Sequence, residues 1–269
     1  EYIPPVFFGA LRMFVGATFM FVIVRAYGEF LIPSRADWLM VLSVAVLQMA
    51  IPTALMHFSL NFIEAGRASL LAFTHPIWVA PLAVLFLGER LNKGTAGGLV
   101  VGMVGLIVLF NPLGFDWRDG RVLLGNGLLI LSAISWAIGI VHVRLHRWHT
   151  SPLSLSPWQM LIAGALLMSL SFAREDVSET VWDQDLIFVL AFVGIAATGF
   201  AYWGAVMVTK NLPAMVSSLG FLGVPIVGIL SSAVLLSEPF TLTLKIGTGL
   251  ILGGLVIMTI FGEQPDDKP

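Results

Sequence analysis

The 269-residue chain carries a net charge of −2, and 58% of its residues are hydrophobic while 11% are charged. Soluble domains have about 45–50% apolar and 25% charged residues, so this composition excludes a soluble globular protein and indicates that lipid surrounds much of its surface. The small net charge excludes a basic nucleic-acid-binding face, and the absence of cysteine excludes a disulfide framework or a thiolate site.

Uncharged runs between ionisable residues divide the chain into nine candidate membrane spans. Each has about 17–25 residues, the length that a helix needs to cross a hydrocarbon core of about 30 Å. No connection is long enough for a soluble domain, so we predict one all-α integral membrane bundle. In chain order the spans are 4–24, 38–60, 65–87, 94–112, 122–143, 155–173, 186–207, 212–236 and 243–262.

A proline and a terminal glutamate recur at one offset in two of these spans. The stretch that contains them repeats without a gap 149 positions later, which indicates an internal duplication. The first copy contains Ala65, Ser69, Pro76 and Glu89, and the second contains Ala214, Ser218, Pro225 and Glu238.

The duplication predicts two repeats of five helices. The second repeat, 122–262, contains five spans, whereas the first, 1–112, shows only the last four of that set. We therefore expect a ten-helix bundle whose first helix precedes Glu1 and is absent from this chain. Residues 113–121 form an outer loop, and 263–269 form a polar C-terminal tail. Because five is odd, consecutive repeats insert in opposite orientations, which is typical of alternating-access transporters.

Basic residues in the loops favour one orientation. With Glu1 outside, eight lie inside and five outside, and basic residues favour the cytoplasmic side. The inner group is Arg25, Arg35, Arg90, Lys93, Arg144, Arg147, Lys210 and Lys268, and the outer group is Arg67, Arg118, Arg121, Arg174 and Lys245. The two longer acidic loops then face outward.

The two segments FLGERLNKGTAGGLVVGMVGLIVL and LLSEPFTLTLKIGTGLILGGLVIM each join a terminal glutamate to a helix with GxxxG. Together with the two repeats, they resemble the drug/metabolite transporter superfamily in its EamA form, across essentially the whole chain. Within it, FTHPIWVAPLAV and SAISWAIGIVHVRLHRWH are most similar to the YddG-type exporters of aromatic amino acids. The resemblance implies a bundle with a central cavity, in a bacterial-type inner membrane, that exports small metabolites from the cytoplasm.

Three prolines lie within the predicted spans, at Pro52, Pro76 and Pro225. A proline inside a helix removes one backbone hydrogen bond and frees a carbonyl about one turn back. In a membrane that carbonyl must find a partner or line a wet cavity, so we interpret these residues as hinges beside a substrate path. The alternative is that proline is simply more frequent in membrane helices than in soluble ones.

Mixed polar and aromatic faces predict the lining of the cavity. His75 and Trp78 are three residues apart and share a helix face, whereas the second copy has Val224 and Val227 there, with Phe221 nearby. An indole offers a flat apolar surface and one N–H donor, suited to a flat amphipathic solute. The other expected lining residues are Gln48, Ser132, Trp136, Thr198 and Tyr202. The alternative is that these aromatic residues fill the bundle.

His57 and Arg12 are ionisable residues within predicted spans. A histidine in a membrane is a functional candidate by default, so His57, with His75, can couple transport to protons, or it can be a packing residue. Arg12 can hold a substrate carboxylate or bond structural carbonyls; its counterpart Gln159 favours the structural role.

The GxxxG glycines, Gly98 with Gly102 and Gly249 with Gly253, predict close packing of the two fifth helices. That packing can occur within one molecule or between two copies in a homodimer.

The preferred function is a secondary transporter that exports neutral or aromatic amino acids and related metabolites. A multidrug cation carrier is the alternative within the same fold, but no span has the central carboxylate expected of it. A carrier of phosphate esters would need more basic residues than Arg12. An intramembrane enzyme would show a pattern such as HExxH or GxSxG, neither of which occurs. A channel stays open as a further alternative, and we expect no cofactor and no metal.

Overall fold

The computed structural model describes residues 3–29, 32–63, 68, 71–110, 118–227 and 242–261, and all its regular elements in those ranges are helical. A short 3₁₀ turn, Val177–Glu179, precedes the seventh of the nine longer helices of the described residues. These are α1 Pro5–Ala26, α2 Trp38–Ser59, α3 His75–Leu87, α4 Lys93–Phe110, α5 Gly120–Leu145, α6 Pro152–Arg174, α7 Gln184–Asn211, α8 Ala214–Val227 and α9 Leu242–Phe261.

Each helix lies on one predicted span. Six are long and apolar enough to cross a membrane by length and composition, and α3, α4 and α8 are shorter apolar helices. The all-α integral membrane fold with its membrane-crossing segments is therefore confirmed. Glu238, most of the outer loop and the polar tail 263–269 lie outside the described residues.

The described helices divide into two compact units. The first unit, residues 1–57 and 145–211, contains α1, most of α2, α6 and α7. The second unit, residues 58–144 and 212–269, contains α3, α4, α8, α9 and all of α5 but its last residue. Each unit therefore combines helices from both halves of the sequence.

Within the first unit, α1 packs against its counterpart α6, and each begins with a proline, Pro5 or Pro152. The carboxylate of Glu175, just after α6, accepts the N–H groups of Val6 and Phe7 at 2.8 and 2.9 Å. Both donors lie in the first turn of α1, where backbone N–H groups have no partner within the helix. The end of α6 therefore lies at the start of α1.

The opposite ends of this pair show the reciprocal contact. Glu29, which follows α1, accepts the hydroxyls of Ser151 and Ser154 at the start of α6, and its carbonyl accepts Ser154 at 2.7 Å. The start of each helix thus meets the end of the other, so α1 and α6 are antiparallel, as inverted repeats require.

In the second unit, α4 packs on α9 through glycines. A Cβ added at Gly98 would lie 2.5 Å from the Gly254 carbonyl oxygen, and one at Gly105 would lie 2.7 Å from that of Gly247. Gly94 faces Phe261, so low numbers in α4 meet high numbers in α9 and this pair is antiparallel too. Such approach of two backbones requires residues without side chains.

The glycines that α9 uses differ from those expected. A Cβ added at Gly249 or Gly253 would have no described atom within 4 Å, whereas Gly247 and Gly254 lie against α4. Gly102 faces the Leu219 side chain of α8, at 2.6 Å from an added Cβ. Within one molecule Gly249 and Gly253 therefore do not pack against α4, because the spacing of four residues occurs on two faces of this glycine-rich helix. Their packing between two copies stays a prediction.

Helices α3 and α8 are counterparts that pack together, and both are interrupted near their prolines. A turn at Phe73–Thr74 precedes the α-helical part of α3, so Pro76 occupies its first turn instead of its middle. A turn at Phe221–Leu222 interrupts α8 three residues before Pro225. The mid-helix position assigned to Pro76 is thus corrected, because a proline has no N–H and fits best in the first turn of a helix, where that N–H would have no partner. Pro81 is the proline inside α3.

Glu89, just after α3, makes the contact that Glu175 makes in the first unit. It accepts the N–H groups of Ala214 and Met215 in the first turn of α8, at 2.5 and 3.1 Å. A carboxylate after one helix again satisfies the start of its antiparallel counterpart.

Helices α2 and α7 contain wider π-helical segments at corresponding places, Val44–Ala50 and Val193–Phe200. The N–H of Ile51 donates to the carbonyl of Val46, five residues back, and Ala201 does the same to Ala196. In α2 Pro52, which has no N–H for the usual bond, follows Ile51. In α7 Tyr202 stands at the corresponding place after Ala201, so proline is not required for the segment.

We expect Gly98→Leu to lower the free energy of unfolding by about 1–3 kcal/mol, because its side chain would overlap the α9 backbone. Thermal unfolding in detergent measures the change. Gly253→Leu is the matched control and should leave the midpoint unchanged; equal losses in both variants would contradict the packing described.

Glu175→Gln and Glu89→Gln should each destabilise the protein by about 1–2 kcal/mol, because each removes the charge from a carboxylate that accepts two helix-terminal N–H groups. Asp185→Asn, an exposed carboxylate in the first turn of α7, is the control. A loss for Asp185→Asn as large as for the two glutamates would argue against the capping role.

Candidate functional site

Four ring side chains meet in the second unit. The ring of His75 lies 6.4 Å from that of Trp136, 6.0 Å from Phe221 and 6.0 Å from Phe73, measured between centroids. Trp136 and Phe221 meet edge to face at 6.5 Å. The structure therefore brings together three of the predicted lining residues, His75, Trp136 and Phe221, and adds Phe73, which sequence reasoning missed.

The interruption of α3 positions His75. Pro76 has no N–H, so the Ala72 carbonyl lacks the partner that a continuous helix would supply. His75 Nδ1 lies 3.5 Å from this carbonyl oxygen, and the Thr74 hydroxyl donates to the Leu71 carbonyl at 2.8 Å. Side chains at the break thus face the freed carbonyls, and His75 is fixed beside the aromatic rings.

A polar atom without a partner lies in the same part of the unit. The Nε1 atom of Trp78 is buried and makes no hydrogen bond with any described residue, whereas the buried ring of His75 faces the backbone of Ala72 and of Ser218. Trp78 packs against the apolar core one turn after His75. A buried indole N–H usually has an acceptor, so Trp78 Nε1 is available to a polar group of a ligand or to a water molecule.

Helix α5 contributes further polar residues. Ser132 is 3% exposed and lies one turn before Trp136, as expected. Asn126 is also buried, and its side-chain Nδ2 has no partner among the described residues. Sequence reasoning missed Asn126, although an amide side chain within an apolar span could have identified it.

The first unit holds a separate polar group. Arg12 Nη2 donates to the Thr53 hydroxyl at 3.3 Å, while Arg12 Nε is buried without a partner in the part of the chain described. His57 lies one turn beyond Thr53, and its Nδ1 also makes no hydrogen bond there. Gly9 permits this approach, because an added Cβ would lie 3.0 Å from the Thr53 methyl and 3.3 Å from His57 Nε2.

The two π-helical segments contribute buried polar side chains to the first unit. Gln48 is 3% exposed and Thr198 is fully buried, and the Thr198 hydroxyl has no partner among the described residues. Tyr202 lies one turn after Thr198 and is half-buried. Segments of this kind are frequent at functional sites because they leave backbone groups outside the regular pattern.

Gln159 is the residue whose importance sequence reasoning underestimated. Its side chain is fully buried in the first unit, and neither Nε2 nor Oε1 has a partner among the described residues. It is the counterpart of Arg12, whose Nε also has no partner among the described residues. The same position in both repeats therefore has a polar side chain with at least one unpaired hydrogen-bonding atom.

A third polar cluster lies outside the spans, before α2. Asp37 is fully buried and accepts hydrogen bonds from Ser34 and Thr150, and its other oxygen lies 2.9 Å from His146 Nε2. Burial opposes ionisation, but the bonds from His146, Thr150 and Ser34 outweigh it and hold the pKa of Asp37 well below its usual range. The sequence analysis did not single out this cluster, because the two segments that form it are more than 100 residues apart.

The chain matches a known family model along nearly all its length. The model is described as the EamA-like transporter family and covers residues 1–111 and 123–260. An uncharacterized transporter of Bacillus subtilis, YoaV, is 26% identical over 257 residues, which are 96% of this chain and 88% of that protein. A protein of Escherichia coli named "Probable amino-acid metabolite efflux pump" is 29% identical over 223 residues, which are 78% of this chain and 72% of that protein.

A solved crystal structure has the same fold. Its TM-score is 0.82 at 20% identity, and the match covers 97% of this chain and 91% of that one. Similarity at this identity concerns the fold alone.

We expect Gln159→Leu to raise the free energy of unfolding by about 1–3 kcal/mol, because it removes buried polar atoms that have no partner. Thermal unfolding in detergent measures it. Gln184→Leu makes the same change at an exposed position and should give no gain. A loss of stability for Gln159→Leu would show that the amide is hydrogen-bonded in the membrane protein.

Proposed function

The chain belongs to the EamA-like transporter family, and from that membership we propose that it exports small amphipathic metabolites, in particular aromatic and other neutral amino acids. It is a multi-pass membrane protein of a transporter family. The relative named as an amino-acid metabolite efflux pump supports the substrate class. The YddG-type exporters are the proposed nearest group.

The ring cluster of the second unit is the observation that carries this proposal. His75, Trp136 and Phe221 present three ring surfaces, and Trp78 adds an indole N–H without a partner among the described residues. A flat apolar solute gains contact area against such rings, and a polar group on it can accept from Trp78 or bond His75. This arrangement suits aromatic amino acids and similar metabolites.

The charges of the first unit favour a neutral or zwitterionic solute. Arg12 is a basic residue within a span and uses one guanidinium nitrogen on Thr53, which leaves Nε without a described partner. One basic residue well inside the spans is too few to hold a phosphate ester, which leaves neutral and zwitterionic solutes. No span has the central carboxylate that recognition of a lipophilic cation would require.

Alternating access is the mechanism proposed for this transport. The breaks before Pro76 and Pro225 and the π-helical segment before Pro52 interrupt regular backbone hydrogen bonding, so bending there disturbs few bonds. These three prolines are the proposed hinges. Proton coupling through His57 or His75 is a separate proposal that flux measurements resolve.

Transport in sealed liposomes tests the substrate class. The full-length protein should give saturable flux of radiolabelled phenylalanine and tryptophan, and replacing both Trp78 and Trp136 by alanine should lower it at least tenfold. Trp182→Ala is the matched control, since Trp182 is 56% exposed and lies before α7. Unchanged flux in the double variant would overturn the assignment of the two tryptophans.

Further arms of the same assay separate the alternatives. Threonine tests neutral amino acids without a ring, and movement of a cationic dye alone would favour the multidrug carrier. Flux without a pH gradient would identify a facilitative exporter and remove the coupling role of His57. Flux only with the gradient would make His57 and His75 the residues to replace.

A further inference from the structure

Two loops of the first unit bring one carboxylate and two imidazoles together. Asp37 ends the loop before α2, and His146 and His149 lie in the loop that joins α5 to α6. One ligand-type atom from each residue lies within 4.8 Å of the other two. The transport function proposed above uses none of these side chains.

The two oxygens of Asp37 have different surroundings. Oδ2 accepts the hydroxyls of Ser34 and Thr150, each at 2.7 Å. Oδ1 faces both histidines, at 2.9 Å from His146 Nε2 and 3.6 Å from His149 Nδ1, and the His149 backbone N–H lies 3.4 Å away. The hydroxyls thus orient the carboxylate, as outer-shell partners do around metal ligands.

The distance to His149 fits a shared ion better than a direct bond. At 3.6 Å the pair lies beyond hydrogen-bonding distance, whereas two ligands of one tetrahedral Zn²⁺ are separated by about 3.3 Å when each bond is about 2.0 Å. His146 and Asp37 are slightly closer than that, so an ion would separate them by a few tenths of an ångström.

The charge of the cluster also calls for a cation. Asp37 is fully buried, and the two histidines are its ion-pair partners. Lys210, a nearby basic side chain, lies over the Trp148 ring at 4.9 Å. A buried carboxylate needs compensation, which a protonated histidine or a bound divalent ion can supply.

We propose that Asp37, His146 and His149 bind a divalent transition-metal ion of the Zn²⁺ type. Two imidazoles and one carboxylate are ligands that Zn²⁺ accepts, and a fourth position stays open to water. His149 is 58% exposed and His146 is 10% exposed, so the ion enters from solvent beside His149. On binding, the Nε2 proton of His146 moves to Nδ1 of the same ring or is released to solvent, and Nε2 exchanges its contact with Asp37 for a bond to the metal.

Bound metal would join the loop before α2 to the loop after α5. The second loop begins where the chain passes from residue 144 of the second unit to residue 145 of the first. The ion would therefore restrain the backbone next to that crossing.

Zinc binding to the protein purified without a histidine tag tests the proposal. After treatment with chelator, the protein in detergent should bind one equivalent of ZnCl₂ by calorimetry and show the visible absorption of tetrahedral Co²⁺ with CoCl₂. His149→Ala should weaken binding at least tenfold and should change the unfolding midpoint without metal little, because its ring is 58% exposed and meets the His146 ring edge to face at 6.5 Å.

His142→Ala is the matched control, because it removes a histidine of α5 outside the cluster. Loss of binding in His149→Ala but not in His142→Ala supports the site. Absence of stoichiometric binding, or equal affinity in both variants, overturns it. Neither result depends on amino-acid flux, so this experiment tests the metal site independently of the proposed transport function.

Discussion

The structure depends on satisfying backbone groups at helix ends and breaks where water is scarce. An unpaired N–H or carbonyl away from water costs several kcal/mol, so the N–H groups at a helix start need an acceptor. It lies just before the helix in α6 and α7, where Ser151 and Asp183 accept, and elsewhere in the protein for two other helices. Here a glutamate that follows one helix accepts from the first turn of its antiparallel counterpart, Glu175 for α1 and Glu89 for α8. The chain thereby connects its two repeats at the places where each helix alone is incomplete.

The same requirement explains where the candidate site lies. Pro76 leaves the Ala72 carbonyl without its usual donor, and the side chains that turn toward the break include His75. The π-helical segments of α2 and α7 place Gln48 and Thr198 on buried faces. Irregular backbone at membrane depth is tolerated where it is covered by protein or lines a cavity, so breaks and polar lining coincide.

The sequence predicted the helices well, since a run of about 20 apolar residues has no stable structure in lipid other than a helix. It also selected His75, Trp136 and Phe221, whose rings meet, while their role as cavity lining stays a prediction. It failed where the answer depends on which face of a helix meets its neighbour. Gly249 and Gly253 match GxxxG, but Gly247 and Gly254 form the contact, because a glycine-rich helix carries the spacing on more than one face. It also missed Asp37 with His146, because no local pattern joins residues 109 positions apart.

The reciprocal contacts between α1 and α6 bear on the origin of the chain. Glu29 and Glu175 follow corresponding helices, and each contacts the start of the other helix. If the ancestor had only five helices and formed an antiparallel homodimer, these two contacts would be the same contact, repeated by the twofold axis. When two copies are joined in one polypeptide, the symmetry is no longer imposed, because a substitution then changes only one of the two repeats. One such difference is that the first repeat has His75 and Trp78 where the second has Val224 and Val227. A duplicated chain can therefore form a binding surface whose two halves differ, as an asymmetric solute requires. A symmetric homodimer of identical chains cannot.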